Sequence, residues 1–99
     1  MNGTSAGFGP TKAVRVTYRG RVQNVGFRAT AVSIARGYPV TGWVRNRPDG
    51  RVELLAEGSP EAVVKFLAAV RSQWQGYIEE EQAADEPPTG RFRSFDIVR

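Results

Sequence analysis

Arg28 stands directly after a short, glycine-bounded loop in the stretch GRVQNVGFR, residues 20–28. The alternating residues before this stretch predict a strand and the apolar spacing after it predicts a helix, which places Arg28 in the first helical turn. A cation is unfavourable there, because the amino end of a helix already carries partial positive charge and unpaired N–H donors. A phosphate or carboxylate bound between Arg28 and the loop N–H groups would remove the conflict. The alternative is a surface arginine beside an ordinary turn, since short glycine loops are common.

The loop itself contains the residue types that an anion site needs. Gly20 and Gly26 let the backbone bend, and Asn24 is, after glycine, the residue that best tolerates a positive φ. Arg28 adds a planar fork of donors that can hold two phosphoryl oxygens at once. These residues therefore predict a site for a phosphoryl group or a similar anion.

Asn46 is the second candidate residue. It is in phase with Val40, Gly42 and Val44 in the stretch VTGWVRN, so it ends the row that we assign to the buried face of a strand. A polar amide on that face needs a partner or a purpose. Asn46 could instead simply open the turn RPDG that follows, as asparagine often does. The pattern alone leaves the distance between Asn46 and the Arg28 loop open.

Composition limits the chemistry. The 99 residues suit one domain and include neither cysteine nor histidine, which removes thiolate chemistry and the commonest general base and metal ligand. The net charge of +4 favours anionic partners, although a soluble protein can be this basic without one. We therefore expect neither a metal nor a cofactor. One group of carboxylates is interpreted as a solvated run and not as metal ligands: Glu79, Glu80, Glu81, Asp85 and Glu86.

The elements that must position these two residues follow from hydrophobic periodicity. Val14, Val16 and Tyr18 share one face of a first strand, and the apolar residues from 27 to 38 have the spacing of a helix. Residues 40–57 predict a β-hairpin that closes at the turn RPDG. The inward row of its second strand comprises Val52, Leu54 and Ala56.

The second half of the chain predicts a helix and one or two strands. Ser59 and Pro60 suit the start of a helix, as cap and first helical residue. The acidic stretch YIEEEQAAD, residues 77–85, is either a solvated edge strand or a loop, and RFRSFDIV, residues 91–98, alternates as a last strand. The apolar stripe of the helix is interpreted as core and comprises Val63, Phe66, Leu67, Val70 and Trp74.

This order of elements predicts an α+β, ferredoxin-like βαββαβ sandwich, in which two helices cover one face of an antiparallel sheet of four to five strands. We expect one folded domain over 12–99, preceded by a flexible N-terminal tail over 1–11 that is rich in small and polar residues. No apolar run is long enough to cross a bilayer and the tail has no apolar signal core, so we expect a cytoplasmic protein.

Two stretches resemble the signatures of the acylphosphatase family. GRVQNVGFR is similar to G-x-V-Q-G-V-x-F-R, and GWVRNRPDGRVELLAEG is similar to G-W-V-x-N followed by D-G-x-V and a later glycine. The resemblance extends from Val14 to about Val70 and resumes in EPPTGRFRSFDI. It implies a fold with a fifth strand and an enzyme that hydrolyses the carboxyl–phosphate bond of small acyl phosphates. Asn24 stands where the family usually has glycine. Because asparagine tolerates left-handed backbone angles, we expect the loop to keep the backbone conformation that binds phosphate.

The resemblance also implies the roles of the site residues. Arg28 matches the phosphate-binding arginine of the family, and Asn46 matches the asparagine that positions the attacking water. The implied partner is a small acyl phosphate, and we expect a monomer that binds neither nucleic acid nor membrane. The residues that match the phosphate cradle are Arg21, Val22, Gln23, Asn24, Val25, Gly26, Phe27 and Arg28.

The implied reaction is feasible without a histidine. The leaving group is a carboxylate, whose acid has a pKa of about 4, so it departs at neutral pH without a general acid. Phosphoryl transfer depends mainly on positioning and electrostatic stabilisation, which Arg28 and the loop N–H groups can supply. The phosphate oxygens of the substrate can accept the proton of the attacking water.

Two other functions stay open. One is a non-catalytic module that binds phosphate or carbamoyl phosphate, because acylphosphatase-like domains also occur inside larger hydrogenase-maturation carbamoyltransferases. A chain with room for one domain favours the free enzyme. The other is an RNA-binding domain, which would display stacking aromatics on its open sheet face, where Trp43 and Tyr18 are the only candidates.

Overall fold

The computed structural model describes residues 11–99, so the predicted tail over 1–11 lies, except for Thr11, outside the described residues. The predicted order of strand, helix, strand, strand, helix and strand is confirmed, and the hairpin predicted over 40–57 is present. The acidic stretch forms a regular strand. The elements are β1 (Lys12–Gly20), α1 (Phe27–Ala35), β2 (Val40–Asn46), β3 (Val52–Gly58), α2 (Pro60–Gln73), β4 (Ile78–Glu86) and β5 (Phe95–Ile97).

The five strands form one sheet in the order β4-β1-β3-β2-β5. The first four strands pair antiparallel, but β5 runs parallel to β2, so the expectation of an antiparallel sheet is wrong for the fifth strand. The connection explains this direction. β4 ends beside the start of β1, and residues 87–94 lead across that end of the sheet to β5. Because β2 also begins at that end, β5 must run in the same direction as β2.

Both helices pack on one face of the sheet. The buried cluster includes Val16, Val44 and Leu54 from the strands and Phe27 and Phe66 from the helices. The predicted apolar stripe of α2 is buried throughout its length. The predicted cap is present as well. The hydroxyl of Ser59 accepts the N–H of Ala62 at 3.2 Å, and such a cap stabilises a helix by about 1 kcal/mol.

The opposite face of the sheet is closed by charged groups. β3 is the central strand, and its second row, Glu53, Leu55 and Glu57, is buried as well as the predicted inward row. Glu53 accepts hydrogen bonds from the guanidinium groups of Arg15 at 2.9 Å and Arg45 at 2.8 Å. Simple alternation did not predict this burial, because it does not show which charged side chains of neighbouring strands will cover a central one.

Glu57 holds the crossover segment 87–94 on this same face. Its carboxylate is 5% exposed and accepts the backbone N–H groups of Thr89 at 3.0 Å and Gly90 at 2.6 Å. A buried carboxylate is stable only when its oxygens are hydrogen-bonded in this way. Glu57 therefore fixes the segment that leads to β5.

β4 is an exposed edge strand whose carboxylates are paired. The sequence-based interpretation as a solvated run is incomplete, because basic side chains of β1 and α2 contact each of these acids. The ion pairs of these acids are Lys12–Asp85 (3.2 Å), Arg15–Glu86 (3.1 Å), Arg19–Glu79 (2.8 Å), Arg19–Glu80 (3.0 Å) and Arg71–Glu81 (2.7 Å).

No helix among residues 11–99 is long and apolar enough to cross a membrane.

Candidate active site

The loop after β1 is fixed at its start. Gly20 has a φ of 137°, and a side chain there would collide with the carbonyl oxygen of Tyr77. The N–H of Arg21 donates to that same carbonyl at 2.9 Å. The close approach that only glycine allows therefore joins the loop to the segment before β4.

The end of the loop is a left-handed turn that leads into α1. Asn24 has a φ of 62° and is the one non-glycine residue in the described part of the chain with a positive φ, as its residue type predicted. Gly26 has a φ of 87° and is the cap residue of α1, but no side chain accepts a hydrogen bond from the first N–H groups of this helix. The first turn of α1 also contains no acidic residue. The amino end of the helix is therefore left for an external anion.

Arg28 lies in this first turn, as predicted, and is half-buried. Its guanidinium makes no ion pair within 4.0 Å with any residue of 11–99. Positive charge from Arg28 and from the helix dipole therefore adds at one point without compensation. This arrangement is unfavourable for an empty site and favourable for a bound phosphoryl group.

The sheet brings Asn46 to the same place. Val52 on β3 is the register partner of both Tyr18 on β1 and Asn46 on β2. β1 and β2 therefore run parallel to each other on either side of β3 and end at the same edge of the sheet. This arrangement settles the distance that the sequence left open, because the 21–26 loop leaves β1 at the edge where Asn46 ends β2.

A small pocket joins the two signatures. Its volume is about 120 Å³, against roughly 300–1,000 Å³ for pockets that enclose a whole drug-sized ligand. It suits a phosphoryl group and a water, with the rest of a substrate outside. The residues that line it are Val22, Asn24, Gly26, Phe27, Arg28, Ala29, Asn46 and Ile97.

Asn46 lines this pocket and has an unused acceptor. Its Oδ1 atom is buried and has no hydrogen-bond partner in the part of the chain that the structure describes. Buried polar atoms are rarely left unpaired, so this oxygen is suited to accept a hydrogen bond from a water or a ligand.

The pocket offers no general base. Arg28 is the only ionisable side chain among its lining residues. Tyr18, at the same level of the sheet, is fully buried, and burial raises the pKa of its phenol well above the usual value. Tyr18 therefore stays neutral, and any reaction here must use positioning and fixed charge.

Three predicted cradle residues have side chains outside the pocket. Arg21 stacks on the ring of Tyr77 at 4.9 Å from the centroid, and Val25 is 42% exposed. The side-chain amide of Gln23 donates to two backbone carbonyls of the β2–β3 turn. Any contact of these residues with a phosphoryl group would have to come from the backbone.

Two lining residues were not predicted from the sequence. Ala29 follows Arg28 on α1, and Ile97 is the last residue of β5. Ile97 is 45% exposed and reaches the site because β5 runs parallel to β2, with Ile97 beside Val44. The alternation of the last strand contained Ile97, but only the parallel pairing places it here.

A larger concavity of about 640 Å³ lies elsewhere, between the end of α2 and β4. Its charged residues are already in contact with opposite charges, for example Arg71 with Glu81 at 2.7 Å and Glu80 with Arg19 at 3.0 Å. The small pocket at Arg28 is therefore the better candidate for anion chemistry, despite its size.

The fold and the site together define a class of protein, namely a two-helix α+β domain in which an uncompensated cation lies at the amino end of a helix. The family model described as Acylphosphatase matches residues 14–97, which include both the Arg28 loop and Asn46. The chain belongs to the acylphosphatase family.

Individual relatives agree with this assignment. The chain is 44% identical over 93 residues to an acylphosphatase of Methylococcus capsulatus, and the match covers 89% of this chain and 97% of that relative. Its structure is similar to the crystal structure of acylphosphatase from Bacillus subtilis, with a TM-score of 0.81 and 34% identity over 89% of this chain and 99% of the other. It is also similar to HypF of T. kodakarensis, with a TM-score of 0.77 and 29% identity, over 89% of this chain but 12% of that one. The same fold therefore also occurs as a small part of a larger protein.

Proposed function

We propose that this protein hydrolyses the carboxyl–phosphate bond of small acyl phosphates and releases a carboxylate and inorganic phosphate. The observation that supports this most directly is the pocket that Arg28, the amino end of α1 and Asn46 line together, with the Oδ1 atom of Asn46 left unpaired. Family membership supports the same reaction.

In the proposed complex, the phosphoryl group lies against the backbone N–H groups of the loop and the guanidinium of Arg28. Charge-assisted hydrogen bonds from a guanidinium to phosphate oxygens are about twice as strong as neutral ones. Because neither Arg28 nor the helix end is compensated by an acid among residues 11–99, the anion supplies the missing charge. These donors stabilise the transition state more than the bound substrate, because negative charge shifts during the transfer of the phosphoryl group.

Asn46 then orients the attacking water. Its Oδ1 accepts a hydrogen bond from the water, which directs a lone pair of the water oxygen toward phosphorus. The new bond forms between water oxygen and phosphorus while the bond from phosphorus to the carboxyl oxygen breaks, and the carboxylate leaves with the electron pair. A proton of the water passes to a phosphate oxygen, so no side-chain base is needed.

We propose that the reaction needs no metal and no cofactor. Residues 11–99 contain no cluster of three or more Asp, Glu, His or Cys side chains arranged to hold a metal ion. The acids of β4 contact basic side chains instead. Turnover that is unchanged in excess EDTA would support this part of the proposal, and loss of turnover would contradict it.

We also propose that the protein acts as a monomer in the cytoplasm and has no nucleic-acid partner. The geometry of the open sheet face supports the last point. The guanidinium groups of Arg15 and Arg45 lie over the ring of Trp43, at 5.3 and 5.5 Å from its centroid, and Glu53 holds both arginines. The ring of Trp43 is therefore already in contact with two cations, which makes it a poor platform for stacking on a base.

A non-catalytic phosphate-binding module is the second candidate, because the likeness to HypF covers a small part of that larger protein. Hydrolysis of benzoyl phosphate in EDTA, measured together with inhibition by inorganic phosphate, separates the two. Turnover that phosphate inhibits competitively supports the enzyme. Phosphate binding by a folded protein without turnover would overturn the enzyme proposal and leave the module.

A further inference from the structure

Gln23 connects the two halves of the site. Its Nε2 atom donates to the carbonyl oxygens of Arg47 and Arg51, each at 2.8 Å. Arg47 follows Asn46 directly, and both carbonyls belong to the turn that closes the β2–β3 hairpin. We propose that Gln23 is a positioning residue that sets Asn46 relative to Arg28, an inference that rests on the proposed hydrolase function.

Both side-chain donors of Gln23 are committed to this contact. A primary amide has two N–H groups, and each of them faces one carbonyl. The side chain does not line the pocket, so it is not a direct ligand of the phosphoryl group. Its contribution to the reaction must therefore pass through the backbone that it holds.

The turn has a matching need for these donors. The carbonyl of Arg47 accepts the N–H of Gly50 at 3.1 Å, and the carbonyl of Arg51 accepts the N–H of Arg47 at 2.8 Å. Gln23 fills the second acceptor position of each carbonyl. The turn is closed further by Asp49, whose carboxylate contacts Arg47 at 3.0 Å and Arg51 at 3.2 Å. Gln23 therefore contacts a turn that its own hydrogen bonds and ion pairs already close.

No other side-chain hydrogen bond among residues 11–99 joins the 21–27 loop to the β2–β3 hairpin. Without Gln23, Asn46 and Arg28 are related only through the sheet and the core. The attacking water must lie in line with the bond that breaks, and a misplacement of about 1 Å can cost about 10²-fold in rate. A contact that fixes this distance is thus expected to affect the chemical step more than phosphate binding.

The test is a double-mutant cycle on turnover. Gln23→Met removes both donors at similar length, and we expect kcat to fall by about 10–100-fold, with the inhibition constant of inorganic phosphate changed less than about threefold. In an Asn46→Ala background the same substitution should change kcat by less than about twofold, because the residue that it positions is gone. Gln73→Met, at an exposed glutamine on α2, is the matched control and should change neither constant.

Each outcome decides the question. Independent, multiplicative losses in the double variant would overturn the positioning role, and so would wild-type kcat in Gln23→Met. A rise in the phosphate inhibition constant that equals the loss in kcat would make Gln23 a binding residue instead. Gln23→Glu, which keeps the shape but places a carboxylate against the two carbonyls, serves if Gln23→Met does not fold. If the wild type shows no turnover, both the hydrolase function and this role of Gln23 are overturned. If the wild type turns over but the losses in kcat multiply independently in the double variant, only the role of Gln23 is overturned.

Discussion

The basic side chains of this protein lie in two contrasting environments. Beside β4, Arg15 and Arg19 of β1 and Arg71 of α2 each contact its carboxylates at 2.7–3.1 Å, and the hydrogen bonds that Arg15 donates to Glu86 and Glu53 raise the pKa of Arg15 above its usual value. At the end of the sheet, Arg28 contacts no acid among residues 11–99, although it lies where a helix dipole is already positive. The net charge of +4 counts paired and unpaired cations alike, but only the uncompensated Arg28 predicts a ligand.

The contrast separates structural from functional charge. A cation beside an acid has its field largely neutralised, so its removal should leave turnover unchanged and act only on stability, with little effect where solvent screens the pair. A cation left unpaired at the amino end of a helix costs stability unless an anion binds. Substitutions in the two environments should therefore differ in what they change.

The largest expected effect is that of Arg28→Ala. Removing the guanidinium should lower kcat/KM by about 10³–10⁵-fold, the range found when an arginine that stabilises a transferring phosphoryl group is lost. Inhibition by inorganic phosphate should disappear, while the thermal midpoint, measured without phosphate, should be equal to or slightly above that of the wild type, because an unfavourable cation at the helix amino end is removed. Benzoyl phosphate hydrolysis and a thermal melt measure these quantities.

Arg36→Ala is the matched control for that substitution. Arg36 is exposed at the other end of α1 and should tolerate alanine with unchanged turnover. Comparable losses in both variants would mean that overall charge, and not the position of Arg28, carries the effect.

Asn46→Ala should come next. The loss of the Oδ1 acceptor is expected to lower kcat by about 10²–10³-fold, as when one oriented polar group is removed from an active site. The inhibition constant of phosphate should change little, because the cradle and Arg28 remain. Wild-type kcat in this variant would show that Asn46 does not orient the water.

Glu57→Gln should affect stability and leave kcat within about threefold, because the residue lies on the opposite face from the pocket. Replacing the buried carboxylate that accepts the N–H groups of Thr89 and Gly90 should lower the free energy of unfolding by about 1–3 kcal/mol. Urea unfolding measures this loss, with the exposed Glu61→Gln as control. An unchanged urea midpoint would mean that the crossover segment is held by other contacts.

Glu53 gives a smaller, pH-dependent effect. Burial alone would raise the pKa of Glu53, but hydrogen bonds from Arg45 and Arg15 outweigh it, so the pKa lies below the usual value of 4.5. A carboxyl with a lowered pKa in the folded state stabilises the protein above its unfolded-state pKa, and this contribution is lost as the pH falls through the folded-state value. The stability difference between wild type and Glu53→Gln, measured by urea unfolding, should therefore shrink below about pH 4.5. A difference that stays constant to pH 3 would contradict the linkage.

The smallest effect is expected for Arg19→Ala. Arg19 contacts Glu79 and Glu80 on the exposed edge strand, and solvent screens such pairs strongly. The urea midpoint should not change measurably at moderate salt, since the backbone hydrogen bonds between β1 and β4 remain. A clear loss of stability that added salt removes would show that the ion pairs, and not the ladder, hold β4.

The order of the elements could be predicted because each element has its own periodicity. The alternation around Val16, the helical spacing after Phe27 and the cap at Ser59 are local signals, and all three are present in the structure. The positive φ expected for Asn24 was also local, since it follows from the residue type. The acidic stretch of β4 was ambiguous because its pairing partner, β1, lies far away in the sequence and leaves no signal in the residues of β4 themselves.

The amino-acid sequence by itself determined the two signatures, the order of helices and strands, the apolar face and the absence of histidine and cysteine. These properties are set by neighbouring residues and by composition. Only the tertiary structure decided that Asn46 and Arg28 line one pocket, that Ile97 lines it as well through a parallel fifth strand and that Gln23 donates to the hairpin turn. Each of these contacts joins residues far apart in the chain, and the direction and register of the paired strands, which no local pattern encodes, bring them together.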